Sequence, residues 1–237
     1  MVELWRLFKG ELKRFWRYKI LFFSVLVTLI WVVILYFAKG EEIKGIFPAL
    51  LLMDAGLMSI ILLGSGFFLE KQERTLSTLM VTPVSPEQIL VSKIAISMLM
   101  SVISYVFLTA VILIFHNFDI QLLPLFIYTM IVASAHLAIG YVITLYSKDF
   151  MQMLVRYMGV ILLFMMPVLL SAVGVTNEWL DVVYLLSPSY AGLYLFESAI
   201  VDHTFWQILL ALFYLLVISG FLYPTIIIRR FKAVSVR

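Results

Sequence analysis

Two ionisable residues lie inside long apolar stretches of this sequence, Asp54 and His136. Ionisable groups within a membrane are costly and often mark a route for ions, protons or substrate. The two residues belong to different stretches and form no defined acid–base pair. For Asp54 a pathway role and a structural role near the lipid headgroups are both open. For His136 a substrate or proton role stands beside that of a neutral histidine hydrogen-bonded to a neighbouring helix.

Other devices of catalysis are missing from the sequence. It contains no cysteine, which excludes disulfides, thiolate chemistry and cysteine-ligated metals. It has no Gly-x-x-x-x-Gly-Lys-Ser/Thr loop to cradle the phosphates of ATP, since Gly64-Ser65-Gly66 is not followed by a lysine in register. The apolar stretches hold no nucleophile–base motif, which disfavours a membrane-embedded lipid-modifying enzyme. We predict no catalytic residue, no metal or cofactor on this chain and no nucleic-acid partner.

The apolar stretches set the class of protein. The chain of 237 residues is 64% hydrophobic and 13% charged, far from the make-up of a soluble domain. Runs of about twenty residues match the hydrocarbon core of a bilayer, and their lack of alternation favours helices over a barrel. We predict an all-α integral membrane protein with a single domain, 1–237. The six predicted spans are 20–38, 49–69, 94–115, 123–146, 157–175 and 205–228. The remaining segments are 1–19, 70–93, 176–204 and the tail 229–237.

The basic residues predict the orientation of these spans. Of the 17 lysines and arginines, all but Lys39 and Lys44 fall on one side when the N-terminus is placed inside. Cytoplasmic loops carry an excess of these residues. We therefore predict a multi-pass protein of the cytoplasmic (inner) membrane with both termini in the cytoplasm.

Residues 1–19 predict a basic amphipathic helix. Its apolar residues recur with the helical period and its cations lie mostly opposite. The apolar positions are Leu4, Trp5, Phe8, Leu12, Phe15 and Trp16. Such a helix lies at the inner leaflet among anionic headgroups. Two interpretations are open: a general membrane anchor, and an elbow helix that also touches a partner subunit.

Residues 70–93, EKQERTLSTLMVTPVSPEQILVSK, form a polar segment between two apolar runs. The start has helical patterning, and Pro83 and Pro86 then disfavour helix at the residues before them. Ser85 is placed to cap a new helix with Pro86 at its first position. The pattern predicts a short cytoplasmic helix, a rigid corner and a second helix that enters the third span. A well-capped loop that only joins two spans is the alternative.

Residues 176–204 are too apolar for a free loop and too interrupted to span the membrane. We expect two short interfacial or re-entrant helices around Pro188, packed against protein where their backbone groups are satisfied. An amphipathic loop with no role in gating is the other interpretation.

The segment from Glu70 to Leu76, followed by Leu79 and by Thr82-Pro83-Val84-Ser85, resembles the coupling-helix segment of type-2 ABC exporter permeases. The resemblance extends to the elbow helix, the six spans and the long external segment before the last one. Arg74 stands where that family often has glycine, and Ser77 where it often has an acid. These departures alter the expected contact chemistry but leave the family unchanged.

The resemblance implies partners and a mechanism. The permease pairs with an ABC-type ATPase on a separate chain, which binds ATP and Mg²⁺, and with a second permease chain as a homodimer or paralogous heterodimer. Membrane lipids surround it. The implied function is ATP-driven export of a hydrophobic or amphipathic substrate. A channel or scaffold without ATP coupling is the competing class.

The resemblance also implies roles for named residues. Polar contacts with the ATPase are expected from four residues, while two leucines enter a groove on it and a Thr-Pro pair fixes the corner. These coupling residues are Glu70, Glu73, Arg74, Thr75, Leu76, Leu79, Thr82 and Pro83. In that family the second and fifth spans line the route, and one helical stripe on each is implied. The pathway residues are Asp54, Met58, Ile61, Ser65, Met165 and Pro167.

Overall fold

The computed structural model of the chain describes residues 2–40, 42–73, 75, 84–116 and 118–235. The protein is 87% helical, and no strand occurs in this part of the chain. Its helices are α1 (Val2–Arg17), α2 (Ile20–Phe37), α3 (Glu42–Gln72), α4 (Pro86–His116), α5 (Leu122–Tyr146), α6 (Phe150–Ala172), α7 (Glu178–Tyr184), α8 (Pro188–Ser198), α9 (Phe205–Leu222) and α10 (Ile228–Ser235).

Six of these units are long and apolar enough to cross a membrane, which confirms the predicted fold class. They are α2, α3, α4, α5, α6 and the continuous unit of α9 and α10, joined by the π-helical turn Tyr223–Ile227. The helix α1, the start of α4 and the end of α10 lie together, because Lys93 contacts Glu11 and Lys232 contacts Glu87. We call this side of the bundle the terminal face.

The helix α3 lies at the centre of the bundle. Of its most apolar window 72% is buried, against 22% for α2 and α6. Residues Leu52–Met58 of α3 form a π-helix, which has more residues per turn and therefore rotates the side chains before it relative to those after it. α3 begins seven residues before the predicted span, because Glu42–Leu51 continues it on the far side.

The helix that leads into the third span begins at Pro86, where the sequence predicts a capped start. Ser85 caps α4: its hydroxyl accepts from the Gln88 N–H, while the Gln88 side chain accepts from the Ser85 N–H. Pro86 occupies the first helical position, where its missing N–H costs nothing. This reciprocal capping fixes where the segment 74–84 ends and where α4 begins.

The fifth span begins earlier than predicted, at Phe150 and not at 157. Asp149 caps α6 by accepting from the Gln152 N–H at 2.8 Å, so the turn between α5 and α6 is only residues 147–149. The prediction was wrong because Arg156 was assigned to the loop. Its side chain instead bends back along α6 and donates to the Tyr146 carbonyl at 2.5 Å.

Two short helices flank the Pro188 position, as the sequence predicts. α8 is buried along its length, against α3, α5, α6 and α9. The Ser187 hydroxyl before it donates to the Phe164 carbonyl at 2.6 Å, three residues before Pro167 in α6. A buried polar group needs such a partner, so Ser187 ties the start of α8 to α6.

Candidate functional site

The residues predicted to couple to an ATPase divide into two environments. Glu70 lies in the last turn of α3 with 1% of its surface exposed, whereas Glu73 ends that helix and is exposed. The Thr75 hydroxyl donates to the Glu70 carbonyl at 3.2 Å. The other five predicted residues lie outside the described part of the chain: Arg74, Leu76, Leu79, Thr82 and Pro83.

Glu70 belongs to a group of four charges that we call the ionic cluster: Glu11, Arg14, Glu70 and Lys93. Lys93 Nζ contacts a carboxylate oxygen of Glu70 and lies 2.9 Å from Oε1 of Glu11. Arg14 lies 2.5 Å from Glu11 and 3.3 Å from Glu70. The cluster thereby joins three elements, α1, α3 and α4.

The ionic cluster balances two positive against two negative charges away from water. The side chains of Glu11 and Glu70 are each 1% exposed and that of Lys93 is 8% exposed. Burial by itself raises the pKa of Glu11, but Lys93 and Arg14 outweigh it and hold that pKa below its usual value. Opposite charges are tolerated in such a place only when each finds partners. Removing one member therefore leaves an uncompensated charge.

The apolar packing beside the cluster holds α1 against the bundle. Phe15 is 4% exposed and packs with Ile20, Leu62 and Ile96. A Cβ on Gly66 of α3 would lie 3.1 Å from the Phe15 ring, so this glycine permits the close approach. By contrast, Trp5 and Trp16 on the same helix are mostly exposed. The predicted apolar face of α1 is thus split between the bundle and its surroundings.

A second contact links α1 to the exposed end of α3. The Tyr18 hydroxyl donates to Oε2 of Glu73 at 2.5 Å. Burial and this bond raise the pKa of Tyr18 to about 12, so the hydroxyl keeps its proton. Lys19 follows with φ +61°, a left-handed conformation uncommon outside glycine, where α1 turns into α2. The residues just before the segment 74–84 are therefore held twice, by the ionic cluster at Glu70 and by Tyr18 at Glu73.

The family is settled by comparison with known proteins. A protein-family profile described as ABC-2 family transporter protein matches residues 40–228. The chain belongs to the ABC-2 transporter family. Among curated proteins, none matches it.

Membership makes this ABC-2 protein a transmembrane permease subunit of an ABC transporter, with no catalysis of its own. It is a multi-pass membrane protein, and such permeases typically work with an ABC ATPase. The match covers α3 through the π-helical turn after α9, and therefore includes Glu70 and Lys93 of the ionic cluster but not Glu11 or Arg14.

Three residues of the predicted pathway stripe of this ABC-2 permease share one exposure on α3, and their role in a route stays a prediction. Met58, Ile61 and Ser65 are partly exposed on a helix whose other positions around them are buried. Asp54, predicted on the same stripe, is buried where these three residues are partly exposed, and its pathway role stays a prediction. The π-helix from Leu52 to Met58 shifts its register, and its carboxylate accepts from the Thr28 hydroxyl of α2 at 2.6 Å. Met165 and Pro167 of α6 are partly exposed.

Asp54 is a buried polar centre between α2, α3 and α4. It is 5% exposed, and the Thr28 hydroxyl of α2 donates to its carboxylate. Beside it, the Ser101 hydroxyl donates to the Ala55 carbonyl at 2.7 Å. These contacts occur among helices of one chain and form a structural centre.

His136 has hydrogen-bonding partners on both ring nitrogens. With Nδ1 protonated, the ring donates to the Val132 carbonyl at 2.8 Å, and Nε2 lies 3.4 Å from the Ser189 hydroxyl of α8. The ring is 1% exposed. This geometry fits a neutral histidine that joins α5 to the inserted helix α8.

Sequence reasoning missed Glu11 altogether and took Lys93 only as a marker of orientation. A signal was present at Glu11, which follows Phe8 and precedes Leu12 and Phe15 on the face of α1 that packs inward. An acid on an apolar helical face needs a buried cation as partner. No local pattern identifies that cation, because Lys93 is 82 residues away.

Proposed function

We propose that this ABC-2 permease serves ATP-driven export of a hydrophobic or amphipathic substrate across the cytoplasmic membrane. A separate ATPase chain binds ATP and Mg²⁺ and docks on the terminal face, which is cytoplasmic together with both termini. Two permease chains, identical or paralogous, form the route at their interface. The excess of basic residues at the terminal face supports this orientation.

The observation that carries the proposal is the ionic cluster at the root of the segment 74–84. It joins α3 before that segment to α4 after it, and α1 to both. A displacement of the segment therefore acts on two spans together. Buried packing and charge networks switch between discrete arrangements and do not deform continuously. The contacts of the ionic cluster therefore suit a shift between two packings of the spans.

The ionic cluster supports the coupling roles that the resemblance implies. Glu73 and Thr75 contact the ATPase, and we extend this role to Arg74, Leu76 and Leu79, and the role of fixing the corner to Thr82 and Pro83, all five of which lie outside the described residues. Glu70 is buried in the ionic cluster, so its role is to transmit the displacement to α4 and α1. Met58, Ile61 and Ser65 face the route. Their largely apolar character, and that of Met165 beside Pro167, suits an apolar or amphipathic substrate.

Affinity isolation from gently solubilised native membranes tests the proposal. The wild type is compared with Glu73→Lys/Arg74→Glu, and copurifying proteins are identified by mass spectrometry. We expect an ABC-type ATPase with the wild type and its loss with the variant. Lys9→Glu/Lys13→Glu, which reverses exposed charges on α1, is the control and should retain it. Absence of any ATPase from the wild type would favour a channel or scaffold without ATP coupling.

A further inference from the structure

An apolar groove runs between α6 and α9 on the outer surface of the bundle, with α5 as its floor. It has a volume of about 300 Å³. Its walls include Phe164 of α6 and Val217 and Phe221 of α9, and Ile139 of α5 forms part of the base. Val217 and Phe221 are about half exposed, so the groove opens sideways where a membrane protein meets lipid chains.

Two arginines, one on α6 and one on α10, share Tyr146 as a partner near the terminal face. Arg156 of α6 donates from Nη1 to the Tyr146 carbonyl at 2.5 Å, and the Arg230 guanidinium of α10 lies 4.7 Å from the centre of the Tyr146 ring. Both arginines are exposed. Their common partner Tyr146 ends α5. Lys148 adds a third cation in the turn that follows.

Among the described residues these two positive charges have no carboxylate partner, unlike those of Lys93, Arg14 and Lys232. Lys93 and Arg14 belong to the ionic cluster, and Lys232 lies 2.5 Å from Glu87. A carbonyl and an aromatic ring orient the guanidinium groups but do not neutralise them. Asp149 is the acid nearest to Arg156 in sequence. Its carboxylate instead accepts from the Gln152 N–H at the start of α6.

The groove and the two arginines are separated by similar lengths of helix. At 1.5 Å per residue, Tyr146 lies about 10 Å beyond Ile139 and Arg156 about 12 Å from Phe164. Arg230 follows Leu222 by a comparable stretch that includes the π-helical turn. All three helices therefore place the cations at a similar depth below the groove. The distances suit one molecule with a negative head at the terminal face and an apolar tail between α6 and α9.

We propose that this surface is a binding site for an anionic phospholipid of the surrounding bilayer. The headgroup phosphate binds Arg156 and Arg230, with Lys148 nearby, and one acyl chain lies in the groove. Charge-assisted bonds from guanidinium to phosphate are among the stronger polar contacts in proteins. The bound lipid links the terminal-face ends of α5, α6 and α10. The proposal does not rest on the exporter function.

Lipid retention measured by native mass spectrometry tests the site. The solubilised full-length protein is titrated with phosphatidylglycerol or phosphatidylcholine of the same acyl chains. We expect one phosphatidylglycerol per chain, retained about twentyfold more strongly, because each surface cation contributes roughly fivefold. Arg156→Gln/Arg230→Gln should abolish the preference, and Arg156→Lys/Arg230→Lys should restore most of it.

The matched control removes the same charge elsewhere. Arg6→Gln/Arg229→Gln removes two positive charges as well. It should keep the preference for phosphatidylglycerol, because neither arginine contacts Tyr146 through a described interaction. Val217→Trp fills the groove and should reduce retention of both lipids. Equal retention of the two lipids by the wild type would overturn the proposal, as would an equal loss in the control. Because the assay needs no ATPase, either result is independent of the isolation experiment above.

Discussion

The ammonium group of Lys93 lies 2.9 Å from the carboxylate of Glu11, although 82 residues separate them in the chain. The same ammonium contacts Glu70, at the last turn of α3. A single buried cation therefore holds together the N-terminal helix and the two spans that flank the segment 74–84. Position 93 should consequently be among the least tolerant of substitution on the terminal face.

Replacing Lys93 by methionine leaves two buried carboxylates with only Arg14 as partner. We expect a loss of about 3–5 kcal/mol in the free energy of unfolding, the usual result when one member of a buried ion pair is removed. Thermal unfolding of the solubilised protein measures it. Lys13→Met, on the exposed face of α1, should change stability by roughly 0.5 kcal/mol or less. A Lys93→Met protein as stable as this control would contradict the buried cluster.

A side chain on Gly66 should push α1 away from the bundle. The Cβ of Gly66→Ala would approach the Phe15 ring to 3.1 Å, and overpacking of this kind costs about 1–3 kcal/mol. We also expect faster proteolysis within α1. Gly159→Ala in α6 is the matched control, since nothing lies within 4 Å of the new Cβ there. If the two variants behaved alike, α1 would not be packed as described.

Glu197 in α8, outside the six spans, should make stability depend on pH. Burial raises its pKa to about 7, from 4.5 when unshifted. A raised pKa in the folded state means that the neutral acid is favoured, so its contribution is complete below about pH 4.5 and is lost as the pH rises through 7. The melting temperature should therefore fall from pH 5 to pH 8. Glu197→Gln should flatten this decline, whereas Asp202→Asn, at an exposed position, should not.

Asp54 offers a test between a structural and a pathway role. Asp54→Asn keeps an oxygen to accept from Thr28, so stability and transport should both change little. Asp54→Leu removes the acceptor and should cost about 1–3 kcal/mol. Thr28→Val/Asp54→Leu should cost less than the sum of the single changes, because the two side chains share one bond. Loss of transport by Asp54→Asn at unchanged stability would instead indicate a pathway role.

The Tyr18–Glu73 bond should matter for coupling more than for stability. It is partly exposed, so Tyr18→Phe should change the free energy of unfolding by about 1 kcal/mol or less. If α1 restrains the segment 74–84, substrate-stimulated ATP hydrolysis by the assembled transporter should fall about threefold or more. Tyr36→Phe, at the other end of α2, is the control. Unchanged stimulation in Tyr18→Phe would remove α1 from the coupling route.

The sequence was sufficient where the deciding forces are local. Apolar length predicts the spans, Ser85 and Pro86 predict the start of α4, and Pro188 predicts the two short helices. The start of α6 was missed because a long arginine side chain can bend back from within a helix, as Arg156 does. The burial of Asp54 could not be predicted because a π-helix changes the register without a recognisable sequence signal.

The ionic cluster itself could not be predicted, for a different physical reason. Glu11 and Lys93 are ordinary members of a basic amphipathic helix and of a polar loop when each is considered locally. Only the packing of α1 across α3 and α4, permitted by Gly66, brings them together. The fold brings such pairs together, so a single sequence shows both residues but does not show that they form a pair.

The long separation between Glu11 and Lys93 also constrains how the protein is made. Glu11 and Glu70 both emerge from the ribosome before Lys93, and until then Arg14 is the one cation of the cluster for two carboxylates that are expensive to bury unpaired. The N-terminal helix therefore has to wait in contact with water until α4 has been synthesised and inserted. Biogenesis thus has a defined order, in which the first helix translated is among the last to dock, and residue 93 marks the earliest point at which it can.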